Sequence, residues 1–131
     1  MGKLYESISP DLKEWLTRQP VFFVATAPTS SDAHLNCSPK GGDTFRVLGP
    51  NEVGYLDYIG SGAETVAHLR ENGRIVVMFC AFDGRPKIVR LHGRGQTVSP
   101  ADPRYAAFSA NFHPHPSARS IIVVRVERVS D

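Results

Sequence analysis

The stretch Tyr58-Ile59-Gly60-Ser61-Gly62-Ala63-Glu64-Thr65 joins a strand-like entry, a glycine-flanked turn and a helix-like exit. Backbone N–H groups at a helix start are unpaired and point outward, so they suit a phosphate. Ser61 and Thr65 add hydroxyl donors beside Tyr58, Gly60 and Gly62. The same residues also make an ordinary helix start, with Ser61 as cap and Glu64 closing a capping box. Glu64 places negative charge beside any phosphate bound there.

A second polar set is Asn36, Ser38 and Lys40. Strand alternation puts Asn36 and Ser38 on one face, with Lys40 close behind. Such a face can hydrogen-bond the edge of a flat heterocycle or a polyol chain, or it can simply meet solvent. A third set is Arg90 and His92, again on alternate positions, with Lys87 nearby. Two cations on one face neutralise a phosphate; the competing explanation is a wet barrel exterior. Arg119 and Arg125 read as exterior residues.

Other chemistries find little support. His113-Pro114-His115 has a His-x-His spacing, but its prolines indicate a loop and no acidic or cysteine partners complete a metal site. GxSxG, GxGxxG and P-loop patterns are absent. Cys37 and Cys80 sit in strand-like stretches outside any CxxC pair, and are expected to be shielded free thiols in a reducing compartment.

These residues must be positioned by a small fold. The 131 residues suit one domain spanning 1–131. Net charge is +2, from 15 basic and 13 acidic residues without a like-charge run, which argues against a nucleic-acid surface. No apolar stretch is long enough to span a bilayer, and Met1 to Glu14 lacks a secretory apolar core. A cytoplasmic location is therefore expected.

Ser9-Pro10 starts a helix whose Leu12, Trp15 and Leu16 share a face with Ile8, and Gln19-Pro20 ends it. Strands are expected at Val21–Ala27, His34–Ser38, Phe45–Leu48, Val53–Tyr58, Arg74–Phe82, Ile88–Val98 and Arg119–Val129. Pro39 to Asp43 is expected to break the second of these. A helix is expected over Ala63–Asn72, stopped by Gly73, with Val66 and Leu69 inward. Another is expected to run from a Ser99–Asp102 cap through Tyr105, Phe108 and Ser109. Many short strands with few helices indicate a sandwich or barrel, whose closure removes exposed edges.

With these segments in order, the chain resembles the pyridoxamine 5′-phosphate oxidase-like family. The stretches that carry the resemblance are Val21-Phe22-Phe23-Val24-Ala25-Thr26, Leu35-Asn36-Cys37-Ser38-Pro39-Lys40-Gly41, Tyr58 through Ile75, and Arg90-Leu91-His92-Gly93-Arg94-Gly95. The resemblance implies a mainly β fold: a six- or seven-stranded antiparallel split barrel with flanking helices. It also implies a homodimer holding FMN between its subunits, and flavin-dependent oxidoreduction of a small molecule. Where the oxidases carry basic residues for the flavin phosphate, this chain has Glu64 and Thr65, so Lys40 or Arg90 is expected to compensate. The cofactor residues implied are Asn36, Ser38, Lys40, Tyr58, Gly60, Ser61, Gly62, Thr65 and Arg90. The oxidases' C-terminal substrate-binding arginine and histidine have no counterpart before Asp131, so pyridoxamine phosphate oxidation is not expected. The rival expectations are a split barrel that binds flavin or haem without chemistry, one with no cofactor, and a reductase using the deazaflavin F420.

Overall fold

A computed structural model describes residues 2–60 and 62–131. The elements run β1 Leu4–Tyr5, α1 Pro10–Arg18, β2 Val21–Thr26, β3 Asn36–Gly41, β4 Phe45–Gly49, β5 Glu52–Tyr58, α2 Ala63–Glu71, β6 Arg74–Cys80, β7 Ile88–Val98, α3 Tyr105–Ser109 and β8 Ala118–Ser130. All strand pairs are antiparallel, in the order β3-β2-β6-β7-β8-β5-β4, with β1 added on β8. The sheet curls into a half-barrel, a split-barrel architecture. Its ends β3 and β4 are not paired with each other, so closure is incomplete and β3 is an edge strand.

Alternation sorts the sheet into two faces. Phe22, Val24, Val77, Phe79, Val89 and Leu91 point inward and are buried. Phe22 packs on Phe45, Tyr55 and Phe79 with ring centroids 5.4–5.6 Å apart. Helix α1 closes this core with Leu12 and Leu16; Ser9 Oγ accepts from Leu12 N at 3.1 Å, and Pro10 takes the first helical position. A second apolar cluster, around Leu56, Val98, Phe112 and Ile121, packs under α3.

Several expectations need correction. β3 runs through Pro39 and Lys40, which were expected to break it; an edge strand tolerates a proline because one row of its N–H groups has no ladder partner. Cys37, expected to be shielded, is exposed, and Cys80 is half-buried. The cause is the edge position: Cys37 lies opposite Ala25 on the outward face. α3 has only five residues, because Ser99–Asp102 forms a turn and the Asp102 carboxylate accepts from Arg104 N at 2.8 Å. α2 starts from Gly62, with no side-chain cap, and Glu64 is exposed; the expected Ser61 cap lies outside the described residues. Its buried face is Thr65, His68 and Leu69, with Val66 only half-buried. The bends expected from the glycines of β7 are present as a register shift at His92/Gly93, where a Cβ on Gly93 would collide with Arg125 O.

No helix among the described residues is long and apolar enough to cross a membrane.

Candidate ligand site

The register of β2 and β3 decides what faces inward. Asn36, Ser38 and Lys40 lie opposite Thr26, Val24 and Phe22, the buried set of β2. The first turn of α2 packs against this row. Asn36 Nδ2 donates to Thr65 Oγ1 at 2.9 Å and to Thr26 Oγ1 at 3.2 Å, and Thr26 Oγ1 lies 2.8 Å from His68 Nδ1. A polar chain thus ties β3, β2 and α2 together inside an otherwise apolar barrel mouth.

Lys40 stands beside a second cluster. Asp57, at the end of β5, has a side chain only 2% exposed and accepts from Arg119 Nε at 2.8 Å and Ser120 Oγ at 3.0 Å. Burial lowers the Lys40 pKa below the ordinary lysine range; Asp57 opposes that shift and Arg119 adds to it. Gly62 sits directly on this cluster: a Cβ there would be 2.5 Å from Asp57 Oδ1 and 2.9 Å from Arg119 Nη2. Its φ of 142° also belongs to glycine alone.

Among the described residues, Ser38 Oγ and Arg119 Nη2 are buried without a hydrogen-bond partner, as is Tyr55 Oη near Asp57. An unmet buried donor costs about 1–3 kcal/mol. Folded proteins carry only a few such groups per hundred residues, and each calls for a physical explanation.

Beside Asn36 a cleft of about 400 Å³ opens, lined by Ala25, Leu35, Ile75, Val76 and His92. Its size suits a small-molecule site, with apolar walls and few polar groups. Arg74, Arg94 and Glu127 form its charged rim. Burial chiefly, then the charges of Arg128 and Arg90, lower the His92 pKa below 6.5. A larger groove, about 1240 Å³, lies between the end of α1 and the 81–87 connection. It includes Lys87, 4.9 Å from the Trp15 ring centroid, but none of the Asn36–Lys40 row or the start of α2.

The structure brings together Asn36, Ser38, Lys40, Gly62 and Thr65. It does not bring Arg90 to them: Arg90 lies opposite Met78 on the outward face, whereas Lys40 lies opposite Phe22 on the inward one. Tyr58 is half-buried and stacks on His115 with centroids 4.4 Å apart. Gly60 is exposed with φ 127°, and Ser61 lies outside the described residues. Asp57, Arg119, Thr26 and His68 were not among the expected site residues. A carboxylate within the apolar run Val53–Tyr58 was the available signal for Asp57.

The family model for pyridoxamine 5′-phosphate oxidase matches residues 8–131. The chain belongs to this family. A pyridoxamine 5′-phosphate oxidase family protein of Aspergillus flavus, ustO, is 46% identical over 133 residues, covering 98% of this chain and 53% of that relative. The chain therefore spans about half the length of the curated relative it matches. Among solved structures, a candidate pyridoxamine 5′-phosphate oxidase of Lactobacillus delbrueckii superposes with a TM-score of 0.74 at 15% identity, covering 98% of this chain and 97% of that one. An FMN-binding protein of Syntrophomonas wolfei superposes at 0.62 with 11% identity, covering 82% and 74%. An FAD-binding protein of Mesorhizobium loti superposes at 0.59 with 15% identity, covering 95% and 94%. At these identities the solved structures establish the split-barrel fold.

Proposed function

We propose that this chain is an FMN-binding flavoprotein acting as an oxidoreductase on a small molecule. The observation that carries this reading is two buried donors unpartnered among the described residues: Ser38 Oγ, on the same β3 row as Lys40, and Arg119 Nη2, beneath Gly62 at the start of α2. Hydroxyl, guanidinium and ammonium groups together match a phosphate, whose oxygens accept several hydrogen bonds. The residues present thus fit a phosphorylated flavin. Lys40, Ser38, Arg119 and the backbone around Gly62 would hold the phosphate. Asn36 and the apolar walls of the cleft would hold the ring and its polyol chain.

When bound, the flavin supplies the hydride or electron chemistry. The chain's own residues bind and orient it. Ala25, Leu35, Ile75 and Val76 exclude water from the ring. His92, neutral near pH 7 because burial lowers its pKa, offers a ring nitrogen that can take up a proton at the cleft. The FMN-binding and FAD-binding relatives in fold support a flavin over other ligands.

The reading includes a homodimer. The outward face of β2 and β6 keeps Phe23, Val76 and Met78 half-buried, and Ile88 on β7 is 42% exposed. A two-fold contact would use this strip twice. It would also bring Arg90, which lies on the same face, towards the partner's site.

The absorbance spectrum of the purified protein tests the reading most directly. Two near-visible flavin bands are expected, lost on denaturation and filtration. A single intense haem band, a deazaflavin spectrum, or no binding of FMN at high micromolar concentration would each replace it. Light scattering at micromolar concentration should give twice the monomer mass.

A further inference from the structure

Asn36 has a carboxamide with two hydrogens to give and one oxygen that accepts. Both hydrogens are directed into the protein, to Thr65 Oγ1 at 2.9 Å and Thr26 Oγ1 at 3.2 Å. Its oxygen takes no hydrogen bond from any described residue, and it is not sealed off from solvent. Asn36 lines the 400 Å³ cleft, so this oxygen is its free polar atom there.

Which edge of the amide faces the cleft depends on one proton. Thr26 has a single hydroxyl hydrogen, and Thr26 Oγ1 sits 2.8 Å from His68 Nδ1. If His68 carries its proton on Nε2, Thr26 donates to Nδ1 and can only accept from Asn36. The amide nitrogen must then face inward and the oxygen outward. If His68 carries its proton on Nδ1, Thr26 accepts from it and its own hydrogen is free to go to Asn36, so the hydroxyl no longer fixes which edge of the amide faces inward. His68 is buried at 6% exposure on α2, and Thr26 at 4% on β2, so solvent does not supply an alternative partner cheaply.

We propose that His68 is a positioning residue: as the Nε2–H tautomer, acting through Thr26, it holds the Asn36 carbonyl oxygen towards the cleft to accept a hydrogen bond from the flavin. The donor is a flavin N–H or a ribityl hydroxyl. This inference rests on the flavin reading above.

The test measures riboflavin and lumiflavin affinity by fluorescence quenching in the wild type, Asn36→Leu, His68→Leu, His68→Asn and the Asn36→Leu/His68→Leu pair. Each Leu variant should weaken binding about 3- to 10-fold, the range of one net hydrogen bond. His68→Asn, with an acceptor oxygen near the former Nδ1, should recover most of the loss. The double variant should bind no worse than Asn36→Leu, because His68 acts through Asn36. A loss shared by lumiflavin assigns the donor to the ring, and a loss confined to riboflavin assigns it to the ribityl chain. Nitrogen chemical shifts of His68 should show the Nε2–H tautomer in the unliganded wild type. An Nδ1–H tautomer, unchanged affinity in Asn36→Leu, or additive losses in the double variant would each overturn the proposal. If the wild type binds neither flavin, the flavin reading itself fails and the proposal with it. If the wild type binds both and the variants match it, only the proposal fails.

Discussion

Arg119 ties the start of β8 to the end of β5: its Nε donates to Asp57 Oδ2 at 2.8 Å, and Ser120 Oγ adds a second bond to the same oxygen. The carboxylate is almost sealed while the guanidinium is 34% exposed, so the pair is only half desolvated. It also stands under Gly62, where an incoming phosphate would meet its negative charge. Asp57→Asn should therefore do two opposite things. Stability should fall by about 1–3 kcal/mol, the worth of a charge-assisted bond left with a neutral partner. FMN should bind more tightly relative to riboflavin, because a like charge has gone. Denaturant unfolding and paired titrations measure both; unchanged stability would sink this account of the pair.

The labelling pattern of the thiols follows from the edge position of β3. Cys37 is exposed and Cys80 half-buried, both free. A thiol reagent added to the native protein should modify Cys37 first and Cys80 slowly, with equal rates after unfolding. Protection of Cys37 in a dilute monomer would contradict the β2–β3 register; protection appearing only with dimerisation would place the outward face of β3 at the subunit contact.

Some elements were legible in sequence because local chemistry determines them. Ser9-Pro10 marks a helix start whatever it packs against. Ile88–Val98 shows its alternation and its Gly93 bend directly, and the observed β7 has those bounds. Pro39 misled because its effect depends on whether a strand is central or at an edge, and strand order is a property of the whole sheet. Much of the site depended on the same non-local information. Asn36, Ser38 and Lys40 were visible as a polar row. Arg119, by contrast, meets Asp57 across 62 residues of chain, and from sequence it looked like any solvent-facing cation. His68 looked like an ordinary helical residue until the register placed Thr26 against it.

His92 gives a pH signature. Burial, with Arg128 and Arg90 adding to it, lowers its pKa below 6.5, so the folded chain holds it neutral where an unfolded histidine has begun to charge. Between its folded midpoint and 6.5 the unfolded chain binds more protons than the folded one, and stability falls as pH drops through that window. Above 6.5 the contribution is complete and flat. A titration of the His92 ring signals should give a midpoint below 6.5, and His92→Asn should flatten the fall in stability across the same window. A midpoint at or above 6.5 would show that the ring is better solvated than this structure has it.

The sharpest expectation concerns Lys40. Its ammonium is half-buried next to Arg119, so it has already lost part of its hydration and has less to lose on meeting a phosphate. Removing a charge that contacts a phosphate costs about 1.5–3 kcal/mol, about 10- to 150-fold in affinity. Lys40→Ala should therefore weaken FMN by that factor and leave riboflavin nearly unchanged, because only FMN carries the phosphate. Arg119→Gln should act in the same direction, with some loss of stability through Asp57. Glu64, exposed in the first turn of α2, supplies the opposite sign: Glu64→Gln should strengthen FMN binding slightly, within the few tenths of a kcal/mol to about 1 kcal/mol of a surface charge near a helix start. High salt should shrink the Glu64 effect far more than the Lys40 effect, since exposed charges are screened and half-buried ones much less. If Lys40→Ala weakens riboflavin as much as FMN, Lys40 shapes the barrel mouth and the phosphate lies elsewhere.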